Sequence, residues 1–466
     1  MTHFETYVAE RRDQLIALKD GLAADGAEFM NVHSAEMNGV FRTKTTPLKL
    51  SYDGDALNGI LFCVGHADGA PVGEAVFAGP ISNTENGFPN IMALVDPASV
   101  RHHGWSPRFA SVITDAFRLD GTPCPIDPRW AVRRQEARAR ALGYEPMFAA
   151  EYEFGIFHAD HDLMRAGRYR ELKPWGSSYI NYDLTRSGDY QDFVAEYMTR
   201  MRSIGITVAS MVTEYGHGMY EIALGPKPAL EAADDAVRAK LHLKELCAER
   251  GLVATFMTRF QPPGKESACG AHHHQSLWKD GANAFAAGPN ELTPLARHYL
   301  GGLLAFLPES HALFRPTINA YRRFERLAWS PENVSWGFEN RAAAIRAITT
   351  PSAGAARFEH RVPGADVNPY LTIAAMLAAG LDGIEQAIEP PAASPGVPAS
   401  ETHRELPRTL EASLALFRSS DFVARALGPE LQAQYVLSRE FELEAYDVWS
   451  RGQITDFEFQ RYFLGT

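Results

Sequence analysis

The chain lacks the features that define several classes of protein. Its 466 residues contain only four cysteines, far apart and without a CxxC pair, so neither a disulfide framework nor a cysteine-rich zinc site is indicated. Asp and Glu (57) outnumber Lys and Arg (45), which gives a net charge of −12 instead of the basic surface typical of nucleic-acid-binding proteins. The longest apolar stretch, around Tyr370–Leu381, is too short to cross a bilayer, and the amino terminus has no secretory signal pattern. We therefore expect a cytoplasmic protein without nucleic-acid or membrane partners.

Common signatures of nucleotide and hydrolytic chemistry are also missing. The sequence contains no GxxxxGK[ST] phosphate loop, no strand-linked GxGxxG, no HExxH and no GxSxG. Any nucleotide chemistry must therefore use another scaffold. The composition, with 45% apolar and 22% charged residues, is that of an ordinary globular protein.

The pattern along the chain indicates an α+β protein of two domains, residues 1–118 and 119–466. A helix is predicted at residues 4–23, and β-like runs separated by turn signals follow it. Asp127-Pro128 is typical of a helix N-cap and first turn, and this helix should end near Leu142. Beyond it, strand-like runs alternate with helices, which favours an α/β organisation of the second domain. The predicted strands there are 146–157, 205–213 and 253–260, and the predicted helices are 190–204, 229–250, 369–388, 410–417 and 438–449.

Two pairs of glutamates occupy strand-like positions. Glu151 and Glu153 lie two residues apart in an apolar run, so both side chains leave the same face of a strand. Glu214 and Glu221 flank a Gly-rich turn between two apolar runs. Buried carboxylates must meet arginines or cations or become protonated, because an unpaired buried charge is costly. For the first pair, a solvent-facing position on a half-buried strand is the alternative.

Histidines and arginines follow with the same spacing. His272 and His274 would share one face of an extended segment, as would Arg357, Glu359 and Arg361. Hard cations such as Mg²⁺ and Mn²⁺ prefer carboxylates with at most a little imidazole, and the arginine fork suits phosphates and carboxylates. The motifs therefore indicate two divalent cations and an anion site. A surface histidine tract and a structural ion-pair network are the alternatives.

Taken in order, these motifs resemble those of the glutamine synthetase superfamily, whose members join glutamate to ammonia or another amine using ATP. The resemblance implies an amino-terminal β-grasp-like domain and a carboxy-terminal partial α/β barrel that carries the site. It also implies phosphoryl transfer to the glutamate side-chain carboxylate and attack of an amine on the γ-glutamyl phosphate. The matching segments are Ala150–Glu153, Glu214–Glu221, Ala254–Met257, His272–Leu277, Asn340–Arg341, Arg357–Arg361 and Asn368–Leu371.

The resemblance implies ATP as co-substrate and two or more Mg²⁺ or Mn²⁺ ions. Six residues match metal ligands: Glu153, Glu214 and Glu221 near the glutamate and amine, and Glu151, His272 and Glu359 on the nucleotide phosphates. The anion-binding positions are Arg323 and Arg361 for glutamate, Arg341 for catalysis, and Arg346, Arg357, His274 and Ser276 for the nucleotide.

The sequence departs from the family pattern at the amine and amino-acid sites. Ammonia users carry an aspartate in a loop where this chain has no aspartate, and Glu85 is the candidate for that catalytic role. Trp329 stands where ammonia users place a glutamate in the flap. Ser267 and Ala268 replace an Asn-Gly pair in a substrate loop. An amine site with fewer acids and more apolar surface should hold an organic amine better than ammonium.

We therefore predict an ATP-dependent glutamate–amine ligase whose acceptor is larger than ammonia. A glutamine synthetase that uses ammonium, a ligase for another carboxylate and a non-catalytic family member are the alternatives. Family members form two stacked rings with active sites shared between neighbouring subunits. The resemblance thus implies a homo-oligomer here, expected to be a dodecamer of two hexameric rings.

Overall fold

The computed structural model describes residues 3–48, 60–63, 79–177, 179–183, 189–261, 266–324, 329–350, 352–399 and 401–463. The α-helices in these ranges span His3–Ala24, Pro128–Ala141, His161–Arg165, Tyr190–Ser203, Ala229–Glu249, Pro294–Ala305, Leu307–Phe314, Pro369–Glu385, Leu410–Arg418, Asp421–Leu427, Pro429–Arg451 and Asp456–Tyr462. None of these helices has the length and hydrophobicity needed to cross a membrane.

The strands form two large sheets and one small hairpin. The first sheet contains β1 (Phe29–Ala35), β2 (Phe41–Pro47), β3 (Ile60–Cys63), β4 (Asn90–Val95), β5 (Arg101–His102) and β6 (Phe109–Phe117). The second contains β7 (Glu145–His158), β8 (Val208–Thr213), β9 (Met219–Leu224), β10 (Lys227–Pro228), β11 (Leu252–Thr255), β12 (Ala271–Lys279), β13 (Ala282–Asn283), β16 (Trp336–Phe338), β17 (Ile345–Ile348) and β18 (Arg357–His360). The hairpin joins β14 (Ala286–Gly288) to β15 (Glu291–Leu292).

The first sheet is mixed, with strand order β2-β1-β6-β4-β3 and β5 paired to β6. β1 and β6 run parallel, and the other pairs are antiparallel. Every residue of β6 after Phe109 is buried, because this central strand is covered on both faces. The edge strand β2 is instead largely exposed and polar, which disfavours pairing with a further strand.

The helix Pro128–Ala141, which follows the first sheet, begins where the sequence predicts it. The Asp127 side chain accepts a hydrogen bond from the Arg129 amide, and Pro128 occupies the first turn, where its missing N–H costs nothing. The predicted boundary at 118/119 falls between β6 and this helix. One hydrophobic cluster contains Ile91 and Ala116 of the first sheet, Phe148 of the second sheet and helix residues such as Leu371. The two sheets therefore belong to one buried apolar core. The division into two domains stays a prediction.

A buried ionic network also crosses between the two parts of the chain. Arg129 donates to both carboxylate oxygens of Asp234, at 3.0 and 2.7 Å, and its Nη2 lies 3.0 Å from Asp96. Its Nη1 forms an ion pair with Asp115 on β6. Tyr370 adds a 2.7 Å hydrogen bond to Asp234. Because Arg129 is fully buried, it needs these carboxylates to offset the loss of hydration.

The second sheet is antiparallel, apart from the parallel pair β16 and β17, and its order is β16-β17-β18-β12-β7-β9-β8. The alternation of strands and helices predicted an α/β organisation, and the pairing differs from the parallel sheet typical of that class. The burial of β7 gives the reason. Phe148, Tyr152 and Phe154 are buried on one face, whereas Glu151 and Glu153 stay partly exposed on the other. A parallel sheet needs both faces covered, whereas an antiparallel sheet tolerates one polar face.

Two predicted strands are too long. The predicted strand 253–260 ends at Thr255, because the Thr255 hydroxyl then accepts the Met257 amide and the Asn319 side chain accepts the Arg259 amide. These side-chain hydrogen bonds replace the strand ladder. The predicted strand 205–213 begins only at Val208. The helix predicted at 438–449 is part of the longer helix Pro429–Arg451, and the helices Pro294–Ala305 and Leu307–Phe314 had no prediction.

Candidate functional site

The partly exposed face of the second sheet carries the predicted metal ligands. Strand register sets Glu153 on β7 directly opposite Glu221 on β9, and Glu151 directly opposite His272 on β12. Side chains opposite one another in adjacent strands lie within about 4.5–5.5 Å at Cβ, so these four groups meet across β7. The predictions that Glu151 shares a face with Glu153, and His272 with His274, agree with the alternation of these strands.

The register continues toward the sheet edge. His274 lies opposite Glu359 on β18, and Glu359 lies opposite Arg346 on β17. His274 Nε2 is 3.0 Å from Glu151 Oε1, and His272 Nδ1 is 3.4 Å from Glu151 Oε2 and 3.7 Å from Glu359 Oε1. Six side chains from four strands thus form one polar cluster: Glu151, Glu153, Glu221, His272, His274 and Glu359.

Two groups of three residues bring their ligand atoms within 4.8 Å of one another: Glu151, Glu221 and His272, and Glu151, His274 and Glu359. The two ligand sets predicted from the sequence, Glu153, Glu214 and Glu221 for one metal and Glu151, His272 and Glu359 for the other, differ from these groups. The assignment of residues to individual metals stays a prediction. Glu151 belongs to both groups, so it is the central residue of the cluster.

Burial and repulsion between neighbouring carboxylates raise the pKa of two acids of the site, Glu214 and Glu221. Burial and the charge of Glu153 raise the pKa of Glu214, at the end of β8, to about 7. Burial and the charges of Glu153 and Glu151 raise the pKa of Glu221 to about 9. Burial opposes ionisation of Glu359 as well, but Arg361 and the two histidines outweigh it and lower its pKa to about 2. The Glu214 and Glu221 side of the cluster therefore has too little positive charge.

This donor set fits hard divalent cations. Such ions take carboxylate oxygens with an occasional imidazole, and their charge would offset the repulsion that raises the pKa of Glu221 and Glu214. His272 Nε2 is buried and has no hydrogen-bond partner among the described residues, so the lone pair of this nitrogen is available to a metal ion in the neutral ring with its proton on Nδ1. The site can therefore hold Mg²⁺ or Mn²⁺.

Without divalent metal, the contribution of Glu214 and Glu221 to the stability of the protein should fall as the pH rises from about 4.5 to about 9. Glu214 and Glu221 titrate higher in the folded chain than their ordinary value of 4.5, so the folded state binds more protons and loses stability as they leave. Burial also raises the pKa of Glu36 and Asp235 to about 7, with the same sign. Mg²⁺ or Mn²⁺ should offset only the contribution of the cluster.

Thermal unfolding at pH values of about 6, 7.5 and 9, with EDTA or with metal, checks this expectation. The rise in Tm caused by metal should grow with pH, because metal binding requires deprotonated ligands. KCl at matched ionic strength controls for general screening. A metal effect of equal size at all three pH values would contradict the expected site.

His274 differs from His272 because Arg357 fixes its protonation. Arg357 Nε donates to His274 Nδ1 at 3.1 Å, and a guanidinium has only donors, so Nδ1 must accept. The neutral ring then carries its proton on Nε2, which faces Glu151. His274 therefore offers an N–H to a carboxylate or phosphate, and not a lone pair to a metal. This geometry suits the predicted nucleotide side, which stays a prediction.

The predicted arginines surround the cluster. Arg346 Nη1 lies 3.0 Å from Glu359 Oε2, and Arg361 Nη1 forms an ion pair with the other Glu359 oxygen. Arg361 Nε donates to the carbonyl of Arg341, and Arg341 itself is exposed. Arg323 is buried, and burial and Arg361 lower its pKa while Glu153 opposes the shift. The structure thus gathers Arg346 and Arg361 around Glu359 and brings Arg323 near Glu153, whereas Arg341 is placed only through its backbone carbonyl.

The predicted substrate loop lies beside the cluster. The Ser267 amide donates to the Tyr215 carbonyl at 3.0 Å, and the Gly270 amide donates to Glu153 Oε2 at 2.6 Å, while Ala268 is buried. Ser276, predicted to face the nucleotide, is also buried and accepts a hydrogen bond from the Trp278 indole at 3.0 Å.

Two predicted residues are not brought to the cluster within this single chain. Glu85 is exposed in a turn held by Asn83, whose Oδ1 accepts the Glu85 amide at 3.0 Å. Trp329 is 60% exposed and has a left-handed backbone, with φ of 56°. In the part of the chain that the structure describes, neither side chain makes a hydrogen bond, ion pair or ring contact with the sheet residues of the site.

Sequence reasoning missed Tyr182. Its amide donates to the Thr213 carbonyl, and burial and the charges of Glu214 and Glu221 raise the pKa of its hydroxyl. Because Thr213 directly precedes Glu214, the amide hydrogen bond places Tyr182 beside these acids. Tyr182 lies outside every quoted motif, and no local pattern signals its position.

Comparisons with known proteins now identify the class. Residues 125–462 match the family model of the glutamine synthetase catalytic domain, and the chain belongs to the glutamine synthetase family. It is 32% identical to the glutamate–isopropylamine ligase of a Pseudomonas species, over 97% of this chain and 98% of that relative. It is 33% identical to gamma-glutamylethanolamide synthetase GlnA4 of Streptomyces coelicolor, over 82% and 81%. A solved GmaS–ADP complex has a TM-score of 0.79 and 27% identity, covering 96% of this chain and 99% of that chain.

Proposed function

We propose that this chain is an ATP-dependent carbon–nitrogen ligase that joins the side-chain carboxylate of glutamate to an organic amine larger than ammonia. The observation that carries the proposal is the similarity along 97% of the chain to a protein named glutamate–isopropylamine ligase. A second relative is named for an ethanolamide product. Both names describe glutamyl transfer to an organic amine, as the departures at Trp329 and the Glu85 loop lead one to expect.

The reaction has two steps. A side-chain oxygen of glutamate attacks the γ-phosphorus of ATP, and ADP leaves. The amine nitrogen then attacks the acyl carbon of γ-glutamyl phosphate, loses a proton, and phosphate leaves. Arg323 and Arg361 would bind glutamate, while Arg341, Arg346 and Arg357 would stabilise negative charge on the phosphates.

Bound Mg²⁺ or Mn²⁺ would neutralise the charge of the nucleotide phosphates and of the transferring group. The residues proposed to hold these ions are Glu151, Glu153, Glu214, Glu221, His272 and Glu359. His274, with its proton on Nε2, would donate to a phosphate oxygen, and Ser276 would face the nucleotide.

We place the acceptor site between subunits of a homo-oligomer, a dodecamer of two hexameric rings in the cytoplasm. Glu85 of a neighbouring subunit would then meet the sheet, while Trp329 would form an apolar wall. Exposed apolar side chains near the carboxy terminus support an assembly, since large exposed apolar patches usually contact another protein. Those more than half exposed are Val448, Trp449, Ile454, Phe457, Phe459 and Phe463.

Phosphate release from ATP tests the proposal. The assay contains glutamate and Mg²⁺ or Mn²⁺, with ammonium, methylamine, isopropylamine, ethanolamine, diamines, polyamines or anilines as acceptor, and product masses are checked. We expect kcat/KM for at least one organic amine to exceed that for ammonium by about tenfold or more, because an apolar wall favours alkyl groups by about 1–3 kcal/mol.

Each alternative function has its own outcome. Preference for ammonium would indicate a glutamine synthetase and make Glu85 the first candidate for the base. Turnover only with a different acid would point to the Ser267 and Ala268 change and to another carboxylate. Silence with every pair would favour a non-catalytic member, although all six predicted metal-ligand positions carry suitable residues.

A further inference from the structure

Asp366 connects two threonines from distant parts of the chain. It lies in the loop between β18 and the helix Pro369–Glu385. The Thr258 hydroxyl donates to its Oδ1 and the Thr317 hydroxyl to its Oδ2, both at 2.6 Å. Bonds from a hydroxyl to a carboxylate at this distance are among the stronger hydrogen bonds in proteins. Lys240 fixes the same loop by donating to the Ala365 carbonyl at 3.1 Å.

Thr317 connects Asp366 to Arg323. The Thr317 side chain also accepts the Ala320 amide and caps the 3-10 helix Ile318–Arg323. Arg323, the last residue of that helix, donates to the carbonyls of Val362 and Pro363 at 3.1 and 2.8 Å. The Asp366 loop therefore holds both the start of the helix and the guanidinium at its end.

Thr258 connects Asp366 to the substrate loop. Its carbonyl accepts the Cys269 amide at 2.7 Å, one residue after Ala268. A Cβ atom at Gly364 would lie 2.5 Å from the Thr258 hydroxyl and 2.9 Å from Asp366 Oδ1, so the loop must approach this closely without a side chain. The three segments around residues 258, 317 and 364 are therefore packed tightly on one carboxylate.

We propose that Asp366 is a positioning residue for the amino-acid substrate. Its carboxylate fixes the Thr317 cap that aims Arg323 and the Thr258 segment that supports Ser267 and Ala268. Asp366 does not touch the substrate itself. The inference rests on the proposed function, because Arg323 is assigned to glutamate there, and it deepens that proposal by adding the residue that preorganises the glutamate subsite.

The experiment compares Thr317→Val, which removes the hydroxyl at nearly constant shape, with Thr317→Ser, which keeps it. The same pair at Thr258 is the second arm, so a failure of one variant to fold leaves the other to decide. With the preferred amine, each Val variant should raise the KM for glutamate about tenfold, as expected for a misplaced charged binding group, and change the KM for ATP less than about twofold. The Ser variants should stay within about twofold of the unaltered protein in both.

Calorimetric titration with glutamate should show the same loss of affinity in the Val variants. Equal changes in both KM values, or a Ser variant as impaired as its Val counterpart, would overturn the role of Asp366 and leave a general structural effect. Failure of the proposed function would instead be seen in the unaltered protein, which would then turn over no organic amine with glutamate.

Discussion

Replacing Glu151 by Gln should lower turnover by about a thousandfold or more. Glu151 is the residue shared by the two groups of ligand atoms, and it contacts both His272 and His274. Glutamine keeps the size of the side chain but removes a negative charge that lies close both to Glu221 and His272 and to Glu359, so one substitution weakens cation binding on both sides. Initial rates of phosphate release at saturating ATP, glutamate and amine measure the loss, and titration of the metal concentration shows whether excess Mn²⁺ restores part of it.

Glu145→Gln is the matched control for that substitution. Glu145 begins the same strand β7, but its side chain is exposed and lies outside both groups. Its replacement should leave the rate within about twofold, because exposed substitutions away from a site have small effects. If Glu151→Gln retained a rate within tenfold of the unaltered protein, the cluster could not be the metal centre of the reaction.

Replacing Arg129 by Ala should lower the free energy of unfolding by about 3–5 kcal/mol. The substitution leaves Asp115, with a fully buried side chain, and Asp234 without their main counter-charge, and it removes the group that joins β6 to the helix Ala229–Glu249. Arg133 remains 2.8 Å from Asp115 and compensates in part. Guanidinium denaturation at fixed protein concentration and constant pH measures the change in midpoint and slope.

Arg297→Ala provides the comparison for this stability measurement. Arg297 also pairs with a carboxylate, that of Glu389, but both side chains are about half exposed. An exposed pair contributes about 0–1 kcal/mol, so the control should shift the midpoint little. Equal shifts for the two variants would show that the buried network does not join the two parts of the chain.

Much of the local structure could be predicted from the sequence, because it depends on near neighbours. Asp127-Pro128 specified the start of a helix through one side-chain hydrogen bond and one fixed φ angle. The two-residue spacing of Glu151 and Glu153 specified a common face of a strand, whatever the strand pairs with. The same reasoning failed after Thr255. There the Thr255 hydroxyl and the side chain of the distant Asn319 accept backbone amides, and the strand ends earlier than predicted.

The grouping of the ligands could not be predicted in this way. Which carboxylate meets which histidine depends on the register between β7, β9, β12 and β18, and register is a property of paired strands. The tautomer of His274 likewise depends on Arg357, which is 83 residues away in the chain. Tyr182 lies beside Glu214 only because its amide donates to the carbonyl of Thr213, a residue 31 positions away in the chain.

The sequence by itself determined the residue types of the site and the faces on which they lie, since composition and period depend on neighbours along the chain. It also carried the ordered motifs by which the chain resembles its family. The tertiary structure alone decided the antiparallel pairing, the meeting of two ligand groups at Glu151, and the convergence of Thr258, Thr317 and Asp366. Some of these features join segments more than a hundred residues apart, such as Thr258 and Asp366. Only the packing of the whole chain can bring such segments within a few ångströms.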